Sequence, residues 1–120
     1  MVGAPQEMTP DDFNVVDTPR GKVIETVLKG VAIVFFHNPV SCEFFQELIP
    51  DITALAGNYG CPFGTFDIDK YKAHDVALTL QTKALPRTVI FVNGKPYMSY
   101  HGPPDAVELK LLIRGERRIE

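Results

Sequence analysis

The stretch VAIVFF, residues 31–36, leads through a short loop into CEFFQELIPDITAL, residues 42–55. The first stretch is a continuous apolar run, rich in β-branched and aromatic residues, which is typical of a strand covered on both faces. In the second, apolar residues recur every three or four positions, which predicts an amphipathic helix. Pro50 lies inside this pattern, so we expect one kinked helix rather than two helices. The chain therefore centres on a buried strand followed by a kinked helix.

Further strands are predicted on the C-terminal side of this unit. Residues 63–69 form a second buried strand in which Phe66 and Ile68 face inward. Residues 88–92 are rich in β-branched side chains, which favours a third strand. Asn93-Gly94 is a strong hairpin signal and predicts pairing of that strand with the residues that follow it.

Helices are predicted around these strands. Before the central strand, residues 13–16 indicate a short strand, and Thr18-Pro19 then begins a helix that ends at Gly30. A short helix near residue 76 and a last helix after Gly102 complete the chain. The inward-facing candidates are Ile24, Val27 and Leu28 in the first helix, Val76, Ala77 and Leu80 in the next, and Val107, Leu111 and Leu112 in the last.

The predicted order is therefore β-α-β-α-β-α-β-β-α, an α/β fold with helices on both faces of one mixed sheet. The length of 120 residues suits one domain. We assign residues 1–12 to an extended lead-in, residues 13–113 to the domain and residues 114–120 to a charged tail.

Composition and charge argue against several classes of protein: nucleic-acid-binding, membrane-spanning and secreted proteins. The net charge is −3, and the basic cluster at Arg114, Arg117 and Arg118 is short and interrupted by an acid, so nucleic-acid binding is not predicted. The longest apolar run is far shorter than a membrane span. The first 20 residues lack the apolar core of a secretory signal. We expect an intracellular protein that is not secreted and has no membrane span.

The chain resembles the thioredoxin family from about residue 13 to residue 113. Three features carry the resemblance: the strand and kinked helix with Pro50 and Tyr59, the Leu85-Pro86 turn entering a strand, and the Asn93-Gly94 hairpin leading to Gly102. The resemblance implies a thioredoxin-like three-layer fold, with a mixed central sheet flanked by helices.

The resemblance also implies a peptide groove. In the family, the proline matching Pro86 is cis and faces the active-site loop, and the residue matching Leu85 offers its backbone to an extended peptide. An ordinary trans proline is the alternative. The groove predicted in this way comprises Val40, Ser41, Leu85, Pro86, His101 and Gly102.

The redox motif of the family is incomplete in this chain. Alignment on Pro50 places Cys42-Glu43-Phe44-Phe45 on the family's Cys-x-x-Cys, so Cys42 keeps the nucleophile position and Phe45 replaces the resolving cysteine. Alignment on the strand alone instead places Val40 first and Glu43 last. Neither register yields two cysteines.

Other parts of the redox site are also replaced. The chain has no tryptophan to precede the motif, and Val34 takes the place of the family's buried acid. The second cysteine, Cys61, falls in the loop before the next strand, at the opposite end of the sheet. We therefore expect no disulfide between Cys42 and Cys61.

Two interpretations of Cys42 stay open. A helix N-terminus lowers a thiol pKa, and His37 or His101 is a candidate activator, so Cys42 is a candidate catalytic residue. Alternatively, Cys42 is a small buried hydrophobe. We expect the aromatic residues to belong to the core and the two acids near the end of the second buried strand to form a turn or cap. These are Phe35, Phe36, Phe44, Phe45 and Phe66, and Asp67 and Asp69.

The sequence favours a redox-inactive thioredoxin-like protein that serves as a protein-binding or structural subunit. The alternative is a monothiol thiol-disulfide oxidoreductase that uses Cys42. The expected partner is a protein, and the assembly that contains both is either a large complex or a virus particle. No phosphate loop or metal-binding motif occurs, so we predict no cofactor and no metal.

Overall fold

The structure, a computed structural model, describes residues 6–38, 42–71, 74–80, 87–101 and 105–113. Side chains are described for these residues except 42–48 and Leu80.

A five-stranded sheet forms the centre of the molecule. Its strands are β1 Gln6–Glu7, β4 Val31–His37, β5 Phe63–Asp67, β6 Arg87–Val92 and β7 Lys95–Tyr100. They lie in the order β1-β5-β4-β6-β7, so β1 and β7 are the outermost strands. Since β4 is parallel to β5 and antiparallel to β6, the sheet is mixed, as predicted.

One face of this sheet is covered by two helices, α1 (Cys42–Tyr59) and α3 (Ala106–Ile113). Successive side chains of a strand point to opposite faces, so Ile33 and Phe35 of β4 share this face. They pack in one cluster with Ile52 of α1 and Leu109 of α3. Pro50 lies inside α1, which runs through it as one helix, as predicted.

The other face carries the short helix α2 (Asp75–Leu80) and a two-stranded hairpin, β2 (Phe13–Thr18) with β3 (Gly21–Thr26). Phe36 and Phe66 point to this face and pack against Phe13 of the hairpin. The molecule thus has three layers, of which one combines a helix with a hairpin.

The predicted first helix, from Thr18 to Gly30, is wrong. Thr18 does not cap a helix: its hydroxyl donates to the Gly21 carbonyl (2.7 Å) and accepts from the Arg20 amide (3.2 Å), which closes a turn. Gly21 sits at φ +115°, a value that favours glycine. The residues after it are largely β-branched and pair with β2, so strand pairing prevails over the helical spacing.

The inward face of α3 also differs from the prediction. Val107 is 66% exposed, whereas Leu109 and Leu112 are buried and Leu111 is half-buried. A residue two positions from Leu109 lies on nearly the opposite side of a helix, so Val107 and Leu109 cannot both face the sheet.

The hairpin of β6 and β7 forms at Asn93-Gly94, as predicted. Both residues have positive φ, 50° and 86°, as a tight two-residue turn of this type requires. The Gly94 carbonyl accepts a hydrogen bond from the Thr26 amide (2.8 Å), which fastens β3 to this turn. A Cβ on Gly94 would lie 2.6 Å from the Thr26 carbonyl oxygen, so the close approach also requires glycine.

The N-terminal segment, predicted as an extended lead-in, contributes to the sheet through Gln6–Glu7, which pair with β5. Met8 follows and is fully buried. Its sulfur occupies the space that a Cβ on Gly64 would need. A short 3-10 turn, Pro10–Asp12, then leads into β2.

Candidate functional site

The strand register brings the segments that flank the predicted groove together at one end of the strands. Phe36, near the end of β4, is paired with Arg87, the first residue of β6. Thr88 is paired with Tyr100, the last residue of β7. Neighbouring strands lie about 4.8 Å apart, so the end of β4, the start of β6 and the end of β7 are close together. We call this end of the sheet, where these strands lead into loops, the loop edge.

Cys42 is the first residue of α1, which begins after the loop that leaves β4 at this edge. Its backbone is described, whereas its side chain is not. Five of the predicted groove residues and the Leu85-Pro86 peptide bond lie outside the described residues. These groove residues are Val40, Ser41, Leu85, Pro86 and Gly102.

His37, a candidate activator of Cys42, is the last residue of β4 and is 9% exposed. Its ring stacks on Phe35 at a centroid distance of 5.9 Å, which places it on the sheet face covered by α1. Burial lowers the pKa of His37 below 6.5, and the neighbouring carboxylate of Asp67 opposes this effect only in part. His37 is therefore neutral at neutral pH.

His101, the other candidate activator, directly follows β7 at the loop edge, and its side chain is exposed. It shares this edge with His37, but β6 lies between β4 and β7. The structure thus brings the two histidines to the same edge of the sheet without stacking or pairing them.

Cys61 lies at the opposite end of α1 from Cys42. A helix of 18 residues is about 25 Å long from its first to its last Cα, far beyond disulfide reach. Cys61 carries a free thiol, which confirms that it forms no disulfide with Cys42. Burial raises the pKa of the Cys61 thiol to about 11, so it is protonated at neutral pH.

Other sequence candidates whose side chains are described have structural roles, whereas the side chains of Phe44 and Phe45 lie outside the described part of the chain. Phe35, Phe36 and Phe66 are buried in the core, as predicted. Asp67 accepts hydrogen bonds from the Asp69 and Lys70 amides (2.9 and 3.3 Å), which confirms the predicted turn.

Val34 is fully buried among apolar residues on the hairpin face. This position therefore carries no titratable group.

Thr88 was not identified from the sequence as a site residue. It is fully buried on the α1 face, two positions after Pro86, and its hydroxyl has no hydrogen-bond partner among the described residues. The buried hydroxyl next to the predicted groove could have been suspected from the strand alternation around Ile90, but nothing in the sequence indicates that it lacks a partner.

Within the described part of the chain, no group of three or more His, Cys, Asp or Glu side chains is arranged to hold a metal ion. None of the described helices has both the length and the apolar character that crossing a membrane requires.

Comparisons with known proteins identify the fold. No protein-family model matches the sequence, and neither does any curated protein. Among solved structures, a mutant thioredoxin from Halobacterium salinarum NRC-1 matches with a TM-score of 0.56 and 24% identity, covering 77% of this chain and 79% of that one.

A second chain comes from a structural study of the thiol resolving mechanism in yeast mitochondrial 1-Cys peroxiredoxin via glutathione/thioredoxin systems. It matches with a TM-score of 0.55 and 20% identity, covering 74% of this chain and 81% of that one. These likenesses, together with the mixed sheet and the position of α1, show that the chain has the thioredoxin-like fold.

Proposed function

We propose that this chain is a redox-inactive, intracellular thioredoxin-like protein that binds a protein partner as a subunit of a larger assembly. One observation carries the proposal. The strand ends that flank the predicted groove meet at the loop edge, whereas the second thiol, Cys61, lies at the far end of α1. The arrangement supports a binding groove and leaves Cys42 without a resolving thiol from Cys61.

The groove argument rests on chain connectivity. Arg87 directly follows Leu85-Pro86 and is paired with Phe36, and His101 directly precedes Gly102. Each predicted groove segment therefore adjoins a described residue of the loop edge. An extended partner segment that pairs with the Leu85 backbone would bind by strand addition, in which main-chain hydrogen bonds supply affinity.

The case against redox turnover rests on three positions. Dithiol exchange needs a second thiol to release the mixed disulfide, and Phe45 stands at that position. A neutral His37 supplies no positive charge to stabilise a Cys42 thiolate. Val34 supplies no acid for proton transfer. The proposed groove would thus serve binding without the redox chemistry of a thioredoxin site.

Affinity purification of the protein at native abundance, followed by binding measurements on the purified partner, tests the proposal. Gly102→Trp should block the partner while the domain stays folded, because the large side chain fills the groove. Cys42→Ser should leave affinity nearly unchanged, because the contact needs no thiol. The reverse pattern would contradict the proposal and indicate a covalent partner, and full affinity in both variants would move the interface away from the groove.

A monothiol oxidoreductase is the second candidate function. Cys42 is the first residue of α1, where the helix N-terminus lowers a thiol pKa. One structurally similar chain comes from a study of thiol resolution in a 1-Cys peroxiredoxin. Incubation with oxidised glutathione followed by intact-mass measurement tests this candidate. A glutathionyl adduct that forms rapidly, is absent in Cys42→Ser and is released by reduced glutathione would favour it over the first proposal.

A further inference from the structure

A cavity of about 260 Å³ opens on the hairpin face of the sheet, between β3 on one side and β6 and β7 on the other. Phe36, Val89 and Phe91 form its floor, and Ile24 and Pro96 contribute to its walls. It lies on the face opposite α1, and none of its described lining residues belongs to the predicted groove, so this inference does not rest on the proposed function.

The cavity has a closed end and an open end. The hydrogen bond from the Thr26 amide to the Gly94 carbonyl joins β3 to the β6–β7 turn and closes one end. Lys22 is four residues before Thr26, and Arg87 is at the start of β6, so both lie toward the other end. From Arg87 to Phe91 the floor is about 13 Å long, the length of a medium-sized apolar chain.

The charge of the lining is opposite to that of the protein as a whole. The chain has 15 acidic and 12 basic residues, yet the described lining contains the cations Lys22 and Arg87 and no acid. A second, more polar cavity, beside the start of α2, is lined by Asp11 and Asp75 instead. A cleft lined by charges of one sign attracts ligands of the opposite sign.

Both cations are held near the open end. The Arg87 guanidinium donates to the Ser99 hydroxyl (2.6 Å), which orients it over the cavity lining. Lys22 contacts Asp17 at 2.9 Å, but both side chains are mostly exposed. Exposed ion pairs of this kind are weak, so an anion at the cavity can compete for Lys22.

We propose that this cavity binds a small organic carboxylate with an apolar chain. The chain lies over Val89 and Phe91, and the carboxylate lies at the open end between Lys22 and Arg87. Apolar lining with a few polar groups that fix orientation is the usual composition of a small-molecule site. The apolar floor supplies affinity, and the two cations select the anion over a neutral ligand of the same length.

An NMR titration of the full chain with octanoate, and with octanol as its neutral counterpart, tests the site. Octanoate should shift the amide signals of β3, β6 and β7 around the cavity and bind about three- to tenfold more tightly than octanol. Equal affinities for the two ligands, no shifts at millimolar octanoate, or shifts confined to residues outside the cavity would each overturn the proposal.

Variants with matched charge sharpen the test. The double variant Lys22→Gln and Arg87→Gln should weaken octanoate binding about three- to tenfold and leave octanol binding unchanged. The control Lys95→Gln and Lys110→Gln removes the same charge outside the lining and should bind octanoate like the native chain. Equal losses in both double variants would mean that net charge alone attracts the ligand, which overturns the site. Val89→Phe, which fills the floor, should abolish binding of both ligands.

Discussion

The central sheet is built in contrasting ways at the two ends of its strands. At one edge, which we call the fastened edge, backbone hydrogen bonds join separate turns: the Thr26 amide donates to Gly94 and the Asn93 amide donates to Gly30. At the loop edge, the ends of β4, β6 and β7 lead into the segments that carry the predicted groove residues. The contrast separates a part of the fold whose described contacts specify the structure from the part to which we assign the proposed function.

The largest expected effect of a single substitution is at the fastened edge. Gly94→Ala should lower the free energy of unfolding by about 2–4 kcal/mol, because positive φ disfavours alanine and its Cβ would meet the Thr26 carbonyl oxygen. Gly60→Ala is the matched control. Gly60 also has positive φ, but a Cβ there meets nothing within 4 Å, so the loss should be about 1 kcal/mol. Urea unfolding measures both, and equal losses would mean that the contact with Thr26 contributes nothing.

A smaller effect of opposite sign is expected beside the loop edge. Thr88→Val should raise the free energy of unfolding by about 1 kcal/mol, because it replaces a buried hydroxyl that lacks a described partner with a methyl group of similar size. Thr26→Val is the control. The Thr26 hydroxyl donates to the Asp12 carbonyl (3.0 Å), so its removal should destabilise the protein by about 1 kcal/mol. Chemical denaturation of the two variants should give shifts of opposite sign; destabilisation by Thr88→Val would show that its hydroxyl is satisfied.

The free energy of unfolding should also depend on pH through His37 at the loop edge. Burial lowers the pKa of His37 in the folded chain below 6.5, so the unfolded chain binds a proton more readily as the pH falls. The contribution of His37 to stability is complete above pH 6.5 and is lost as the pH falls below that value. Between about pH 7.5 and about pH 5.5, the urea midpoint of the native chain should fall.

His37→Phe retains a ring at this position and should reduce this pH dependence. His101→Gln, which changes an exposed histidine at the same edge, should retain it. If the His37 variant loses as much stability on acidification as the native chain, burial of this imidazole does not cause the pH dependence of the unfolding free energy.

The sequence predicted the central strand and the helix α1 because their patterns are long and unambiguous. Residues 31–36 form a continuous apolar run, and the helix pattern persists across Pro50. The Asn93-Gly94 turn was predictable because few dipeptides accept positive φ at both positions.

The β2–β3 hairpin was missed for a physical reason. Thr18, Pro19 and Gly30 match the start and end of a helix, and the spacing of the apolar residues between them fits either structure. Only the long-range contacts with Phe36 and Phe66, and the pairing with β2, decide for strands. Such tertiary contacts override local propensity and cannot be read from a single segment.

For the candidate site, the sequence placed Cys42 at the start of a helix and Cys61 at its far end, and the structure has both there. The burial of His37 could not be foreseen, because it depends on the ring lying over Phe35 beneath α1. The unpartnered hydroxyl of Thr88 depends in the same way on which of the described groups surround it.

The most direct test of the central claim, a thioredoxin-like fold that has lost its redox chemistry, is a glutathione-coupled disulfide reduction assay on the native chain and on Cys42→Ser. Both proteins should give the uncatalysed rate, because Cys61 is distant and protonated and Phe45 cannot resolve a mixed disulfide. Turnover by the native chain that disappears in Cys42→Ser would contradict the claim and establish the monothiol enzyme instead.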